Sequence, residues 1–174
     1  MPRGLYSHVA RVVAEVDRIA PPQVDRERAI MAAWAHDVAR AMSEDELLRR
    51  AGLYGIAILP EERSAPILLH GPVGAAMLRR DLGWDDEELL EAVRYHTTGR
   101  AAMTDLQLTV LLADKVEPAK VHDEQMRRVR GLAGESLPAA ARLFYRWYLA
   151  NNERLGRADH PRAVEAAQWL AERE

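Results

Sequence analysis

The chain has 174 residues, no cysteine and a formal net charge of −3. Without cysteine, disulfides, thiolate catalysis and cysteine-bound zinc are excluded, so His, Asp and Glu remain as the strong metal ligands. The length fits one domain, the acidic balance argues against a nucleic-acid partner, and the longest apolar run, residues 110–113, is too short to span a bilayer. Because the first residues also lack a signal-peptide pattern, we expect a soluble cytoplasmic protein with no membrane partner.

The hydrophobic pattern is helical along nearly the whole chain. A first helix carries an apolar stripe from Leu5 to Ile19, and a second carries Ile30, Ala33 and Trp34 on its buried side. Further helices are predicted over residues 43–54, 72–82, 86–96, 104–117, 136–155 and 161–172, with a loop over residues 59–66. No segment alternates with period two, so the sequence predicts an all-α, single-domain bundle: a core of residues 1–120 and C-terminal helices of residues 121–174 packed on it.

Four histidines and two aspartates stand where a helical core would place apolar residues. Buried imidazoles and carboxylates are costly unless a partner satisfies them. Each one alone is explained by ordinary packing or capping, but their joint occurrence predicts a metal site. The predicted ligands are His8, His36, Asp37, His70, His96 and Asp114. The remaining two histidines, His122 and His160, lie among charged residues near helix ends and are left out of this set.

Asp114 is the most informative member of the series. It follows the apolar stretch of residues 108–113, so its carboxylate needs a cation or several donors. Lys115 adjoins it, but successive residues on a helix do not face each other, and a metal ion is therefore the expected partner.

The donor set predicts a reaction class. Nitrogen and oxygen ligands without thiolate suit iron, manganese, zinc, cobalt or nickel, and six ligands fit two ions that share Asp37. Paired ions activate water and hold a leaving oxygen, which favours hydrolysis of a phosphoric anhydride. Arg40, one turn after His36, and Arg100, shortly after His96, are the candidate catalytic cations beside Asp37.

Three stretches carry a closer resemblance, together with the helix that leads to the His36–Asp37 pair. They are LLHGPVGA at 68–75, RYHTTGR at 94–100 and ADKVEP at 113–118. With that pair they resemble the bacterial HD-domain symmetrical diadenosine tetraphosphate hydrolases of the YqeK type, over about residues 6–120.

The resemblance implies a helical HD fold, a two-metal centre that is usually iron, and cleavage of diadenosine tetraphosphate into two ADP by a metal-bound hydroxide. It implies the same six metal ligands. The substrate contacts that it implies are His70, Gly71, Pro72, Val73, Thr97 and Lys120. The chain departs from the family pattern at Leu5, Arg40, Lys120 and Ala167, so the metal centre is better supported than the grip on the nucleoside.

Two alternatives remain open at this point. The same metals would serve a nucleotidase or phosphatase for another phosphorylated metabolite, and a metal-bound nucleotide sensor without turnover would show the same ligands. The apolar residues 143–149 are equally consistent with internal packing and with the face of a homodimer.

Overall fold

A computed structural model describes residues 3–173. Across that range the chain is helical and contains no strand, which confirms the all-α prediction. The α-helices are α1 (Arg3–Ile19), α2 (Arg26–Ala35), α3 (Glu44–Tyr54), α4 (Pro60–Ser64), α5 (His70–Leu82), α6 (Glu87–Tyr95), α7 (Asp105–Val116), α8 (Glu124–Ala133), α9 (Leu137–Arg154) and α10 (Pro161–Ala171). Short 3-10 turns cover Pro66–Leu69 and Pro118–Lys120. No helix within the described range is long and apolar enough to cross a membrane.

Local capping chemistry sets several helix ends. The Ser43 hydroxyl accepts from the backbone N–H of Glu46 at the start of α3, and Thr104 makes a reciprocal capping box with Gln107 at the start of α7. Gly83 ends α5 at φ 73°, a left-handed conformation that favours glycine. These three boundaries agree with the sequence prediction.

Two helical segments were not predicted. The expected loop at 59–66 instead contains α4 and the start of a 3-10 turn, because Pro60 and Pro66 stand at first-turn positions, where the missing N–H costs nothing. Helix α8 lies in a stretch for which no helix was expected. Its Asp123 cap is followed by Met126 and Val129, whose side chains are buried in the core.

Helix α7 is the centre of the bundle. Ten of its residues are buried, and it packs against α1, α2, α6, α8 and α9. The C-terminal helices complete this core, since Phe144 and Tyr145 of α9 are buried in it and Trp147 packs against it. Within residues 143–149, Phe144 and Tyr145 pack inside the chain, whereas Trp147 and Tyr148 are only partly buried.

The buried face of α2 differs from the prediction. Ala29, Ala32 and Ala33 are fully buried, whereas Trp34 is 42% exposed and lies 6.0 Å, centroid to centroid, from the Tyr6 ring. Small side chains let α2 approach α1, α6 and α7 closely. Trp34 was therefore wrongly assigned to the core, because helices that pack this closely leave room only for small side chains.

Candidate metal centre

The structure brings together the six predicted ligands, which are distant in sequence. His8 comes from α1 and Asp114 from α7. His36 directly follows α2, His70 opens α5, and His96 directly follows α6. Asp37 and all the others except His8 are at least nine-tenths buried, so five helices converge on one polar centre inside an apolar bundle.

One group of ligand atoms surrounds the Oδ2 side of Asp37. His8 Nε2 and His36 Nε2 are 3.4 Å apart, and each lies 3.6 Å from Asp37 Oδ2. Asp114 Oδ1 lies 3.2 Å from His8 Nε2 and 3.8 Å from His36 Nε2.

A second group surrounds the other oxygen of the same carboxylate. Asp37 Oδ1 lies 3.2 Å from His70 Nε2 and 3.6 Å from His96 Nε2, and these two nitrogens are 2.9 Å apart. The Thr97 hydroxyl lies 3.2 Å and 3.0 Å from them. Asp37 therefore presents one oxygen to each group, which is the arrangement of a carboxylate that bridges two ions.

Three histidines share a backbone contact that fixes their ring orientation. His36 Nδ1 lies 2.6 Å from the Ala33 carbonyl, His70 Nδ1 lies 2.5 Å from that of Ile67, and His96 Nδ1 lies 2.7 Å from that of Val93. Because a carbonyl oxygen only accepts, each Nδ1 carries the proton and donates it. The Nε2 lone pairs are thereby left free and point at one another.

The residues fit a pair of metal ions. Ligand atoms around one ion at ~2.1 Å are separated by roughly 3.0 Å in octahedral and 3.4 Å in tetrahedral geometry. The separations within the two groups run from 2.9 to 3.8 Å. Facing acceptor nitrogens repel each other, and a cation between the His70 and His96 nitrogens would remove that repulsion. The His8–His36–Asp37 and Asp37–His70–His96 groups could each hold an ion.

Sequence reasoning missed the residue that orients His8. The carboxylate of Glu117 is 2% exposed, and its Oε1 lies 3.2 Å from His8 Nδ1. Arg11 and the backbone N–H of Ala119 donate to Oε2 at 2.6 and 2.9 Å. Glu117 thus plays for His8 the part that backbone carbonyls play for the other histidines. Its position just past the end of α7 hid this contact, although it lies three residues after Asp114.

The pKa shifts of His96 and Asp37 favour the protonation states that metal ligands need, whereas the shift of His8 favours its protonated form. Burial lowers the pKa of His96 to about 4, so its imidazole is neutral near pH 7. Burial would raise the pKa of Asp37, but the His70 and His96 rings that face its Oδ1 atom hold that pKa well below its usual range. A hydrogen bond to Asp114 raises the pKa of the half-buried His8.

Two lysines contact Asp114, and one of them corrects a prediction. Lys120 Nζ lies 2.5 Å from Asp114 Oδ1, the oxygen that also faces His8. Lys115 Nζ donates to Oδ2 at 2.8 Å, although the helical spacing excluded it as a partner. The long, flexible lysine stem bends back around the helix, which a rule based on Cβ directions does not capture.

Two pockets adjoin the histidine cluster and share Lys120 as a lining residue. The first has a volume of about 430 Å³, reaches the cluster at Thr97, and is lined by Phe144, Tyr145, Trp147 and Tyr148 of α9. Its polar lining residues are Thr98, Lys115, His122, Asn151, Asn152 and Arg157. Sequence reasoning placed the aromatic residues in a helix but assigned them no role in a site.

The second pocket opens on the other group of ligands. It has a volume of about 410 Å³ and is lined by His8, Asp37, Arg40 and Leu5 as well as Lys120. Arg40, a predicted catalytic cation, is exposed at this mouth. The cluster therefore lies between an aromatic pocket and a more open, cationic one.

Several predicted site residues are placed elsewhere. Arg100 donates to Glu91 at 2.7 Å and to the Ala101 carbonyl, and it lines neither pocket. Gly71 packs so tightly on α6 that a Cβ there would lie 2.7 Å from the Arg94 carbonyl oxygen, and Val73 is fully buried in the core. Pro72 lines a third pocket, away from the cluster. Packing thus accounts for the glycine that was assigned to phosphate contact.

The two histidines left out of the ligand set lie outside the cluster. His160 is 3% exposed and caps α10, with Nε2 lying 3.3 Å from Oε1 of the buried Glu62. His122 is exposed and lines the aromatic pocket.

A family model for the HD domain matches residues 5–119, and the chain therefore belongs to the HD-domain family. The adjacent residues His36 and Asp37, which carry part of the sequence resemblance to this family, lie at the centre of the cluster.

Curated relatives point to one activity within that family. The symmetrical bis(5'-nucleosyl)-tetraphosphatase of Bacillus subtilis is 37% identical over 100 residues, which cover 54% of this chain and 50% of that protein. The enzymes of that name from Halalkalibacterium halodurans and Staphylococcus aureus are 35% and 31% identical, and the alignments cover 65% and 69% of this chain. The chain spans 60% and 62% of these two relatives.

A solved structure shares the whole fold. A protein from Clostridium acetobutylicum, described as a predicted HD superfamily hydrolase involved in NAD metabolism, superposes with a TM-score of 0.93 at 27% identity. The match covers 100% of this chain and 92% of that one.

Proposed function

We propose that this protein is a metal-dependent hydrolase that cleaves dinucleoside tetraphosphates symmetrically, releasing two ADP from diadenosine tetraphosphate. The observation that carries this proposal is the position of Asp37 between two ligand groups that open into two pockets. Symmetrical cleavage needs a scissile anhydride with an equal half of the substrate on either side. The activity of the curated relatives supports the same assignment.

The two pockets suggest how the substrate lies. A nucleoside fits the first pocket, where Phe144, Trp147 and Tyr148 offer apolar ring surface and Asn151 offers amide donors and acceptors. The central phosphates would pass Lys120, which lines both pockets. The other half would extend toward Arg40.

The chain's own residues account for orientation and charge. Lys120, with 41% of its side chain exposed, and Arg40 hold phosphoryl oxygens at the mouth, and the Thr97 hydroxyl can donate to an oxygen beside His70 and His96. Two bound divalent ions would supply an activated water and polarise the phosphoryl group. The Asp37 carboxylate, with one oxygen facing each ligand group, would fix the position of the two groups relative to each other.

The test measures products and turnover together. Purified protein is assayed with diadenosine tetraphosphate in the presence of iron and of manganese, and ADP is expected as the sole product. AMP plus ATP would refute symmetrical cleavage. Faster turnover of mononucleotides would favour a nucleotidase, and tight nucleotide binding without product would favour a sensor.

Asp37→Ala tests the role of the shared carboxylate. Metal binding and hydrolysis should be lost together while helical content is largely kept, because Asp37 is the ligand that the two groups share. Asp85→Ala, at an exposed position before α6, is the matched control. Wild-type turnover in Asp37→Ala would remove the proposal.

We further propose iron as the resident metal, with His8, His36 and Asp114 holding one ion, His70 and His96 holding the other, and Asp37 holding both. Nitrogen and oxygen donors without thiolate suit iron but do not distinguish it from manganese. Elemental analysis of freshly purified protein identifies the metal. A preparation that is active and carries manganese or zinc in place of iron would exclude this assignment.

A further inference from the structure

A third pocket, unlike the two beside the metal cluster, has four arginines and two tyrosines among its ten lining residues. It lies between the end of α3, helix α5, the end of α6 and the start of α10, with a volume of about 300 Å³. Its charged lining consists of Arg79, Arg80, Arg94 and Arg162, and no carboxylate of the described residues belongs to it. It shares no lining residue with the pockets at the metal cluster.

The four arginines outnumber their carboxylate partners. Glu87 pairs with Arg79 and lies 3.8 Å from Arg94. Arg162 donates to Glu62, which also faces His160. Within residues 3–173, Arg80 donates only to main-chain carbonyls, those of residues 53 and 54. Two carboxylates thus face four guanidinium groups around one concave surface, and such a charge excess attracts a multivalent anion.

The aromatic rings at this pocket are already covered. The guanidinium of Arg80 lies 5.5 Å from the centre of the Tyr54 ring, and those of Arg94 and Arg162 lie 5.9 and 5.6 Å from that of Tyr95. Cations over the ring faces leave no free surface for a stacked base. The stacked guanidinium groups can instead donate pairs of N–H hydrogen bonds to phosphate oxygens.

We propose that this arginine pocket is a second, non-catalytic binding site for a small oligophosphate. The ligand is the phosphate group itself, supplied either as free pyrophosphate or as the phosphate tail of a nucleotide. A volume of about 300 Å³ lies at the lower end of the ~300–1,000 Å³ range of small-molecule sites, which suits a compact anion.

The pocket adjoins the helix ends that carry two metal ligands. Pro72 and Tyr95 line it, and they lie two residues after His70 and one residue before His96. The tight contact between Gly71 and the Arg94 carbonyl joins these helix ends. An anion held by Arg79 of α5 and Arg94 of α6 therefore bridges the helices that set the distance between the two histidines.

Calorimetric titration of the metal-loaded protein with pyrophosphate tests the proposal. The wild type should show two classes of site, one at the metals and one at the arginines. Arg79→Ala/Arg94→Ala should lose the second class or bind it at least ~10-fold more weakly, because charge-assisted hydrogen bonds are removed. Its hydrolysis of diadenosine tetraphosphate should stay within about 2-fold of wild type when no pyrophosphate is added.

A control variant and a comparison of ADP with pyrophosphate complete the experiment. Arg127→Ala/Arg128→Ala removes two exposed arginines of α8 and should keep both classes. If the double variant at the pocket unfolds, Arg80→Gln at an exposed position replaces it. A single class in the wild type, or two unchanged classes in the pocket variant, would overturn the proposal. ADP binding at the second class identifies the nucleotide tail as the source, and binding by pyrophosphate alone identifies the free anion.

Discussion

Glu117→Gln probes the carboxylate that orients His8. The substitution keeps the size of a side chain that is 2% exposed but removes its negative charge. The remaining carbonyl oxygen cannot serve His8 at 3.2 Å together with Arg11 at 2.6 Å, because the amide nitrogen now faces one of them. Partners of this kind typically change metal affinity by ~10–100-fold, which corresponds to about 1.4–2.8 kcal/mol.

Competition with a chelator at fixed pH measures the metal affinity, and circular dichroism checks that the helices remain. We expect metal binding by Glu117→Gln to weaken by ~10-fold or more with little change in helical content. Glu46→Gln is the matched control, since Glu46 likewise accepts from arginine side chains, those of Arg49 and Arg50, but lies on α3, away from the cluster. Equal metal affinity in wild type and Glu117→Gln would refute the orienting role.

Three further substitutions test a close helix contact, a buried hydrogen bond and a buried ion pair in the bundle. Gly71→Ala should destabilise the fold by about 1–3 kcal/mol in urea unfolding and reduce turnover, because its Cβ would lie 2.7 Å from the Arg94 carbonyl oxygen; unchanged stability would show that α5 and α6 separate freely. Tyr145→Phe should cost about 0.5–1.5 kcal/mol, since the hydroxyl donates to the Thr98 carbonyl at 3.1 Å, and a neutral effect would mean that this bond contributes nothing. Burial would raise the pKa of Glu62, but hydrogen bonds with His160 and the Leu59 N–H hold that pKa below its usual range. The unfolded chain therefore binds more protons, and the free energy of unfolding of the wild type falls as the pH drops below about 4.5. Glu62→Gln should make this decrease smaller, and parallel curves of stability against pH for the two proteins would contradict the assignment.

The convergence of the six candidate ligands was predictable because histidine and aspartate are unusual residue types in apolar helical stretches. His36, His96 and Asp114 stand in apolar helical stretches, where charge or imidazole needs a reason. Convergence followed from helical periodicity, since each of them lies on or directly after a buried stripe. The helix caps at Ser43 and Thr104 were predictable for the same reason: the signal lies within four residues.

The role of Glu117 and the two pockets named below could not be predicted, because they depend on contacts between residues that are distant in sequence. Glu117 lies past a helix end, and its partner His8 is 109 residues away. The aromatic pocket uses Phe144 and Tyr148, residues equally suited to a core. The arginine pocket takes its arginines from three helices, α5, α6 and α10, and each of them looks like an ordinary surface residue in sequence.

Convergence of the ligands has a consequence for the lifetime of the protein. They come from chain positions 8 to 114, so bound ions would link α1, α2, α5, α6 and α7 to one another. A ligand at 100 times its dissociation constant adds about 2.7 kcal/mol to the native state. Loss of the metal would then raise the fraction of unfolded chains that proteases can cleave, and the supply of metal would determine how much of the protein survives.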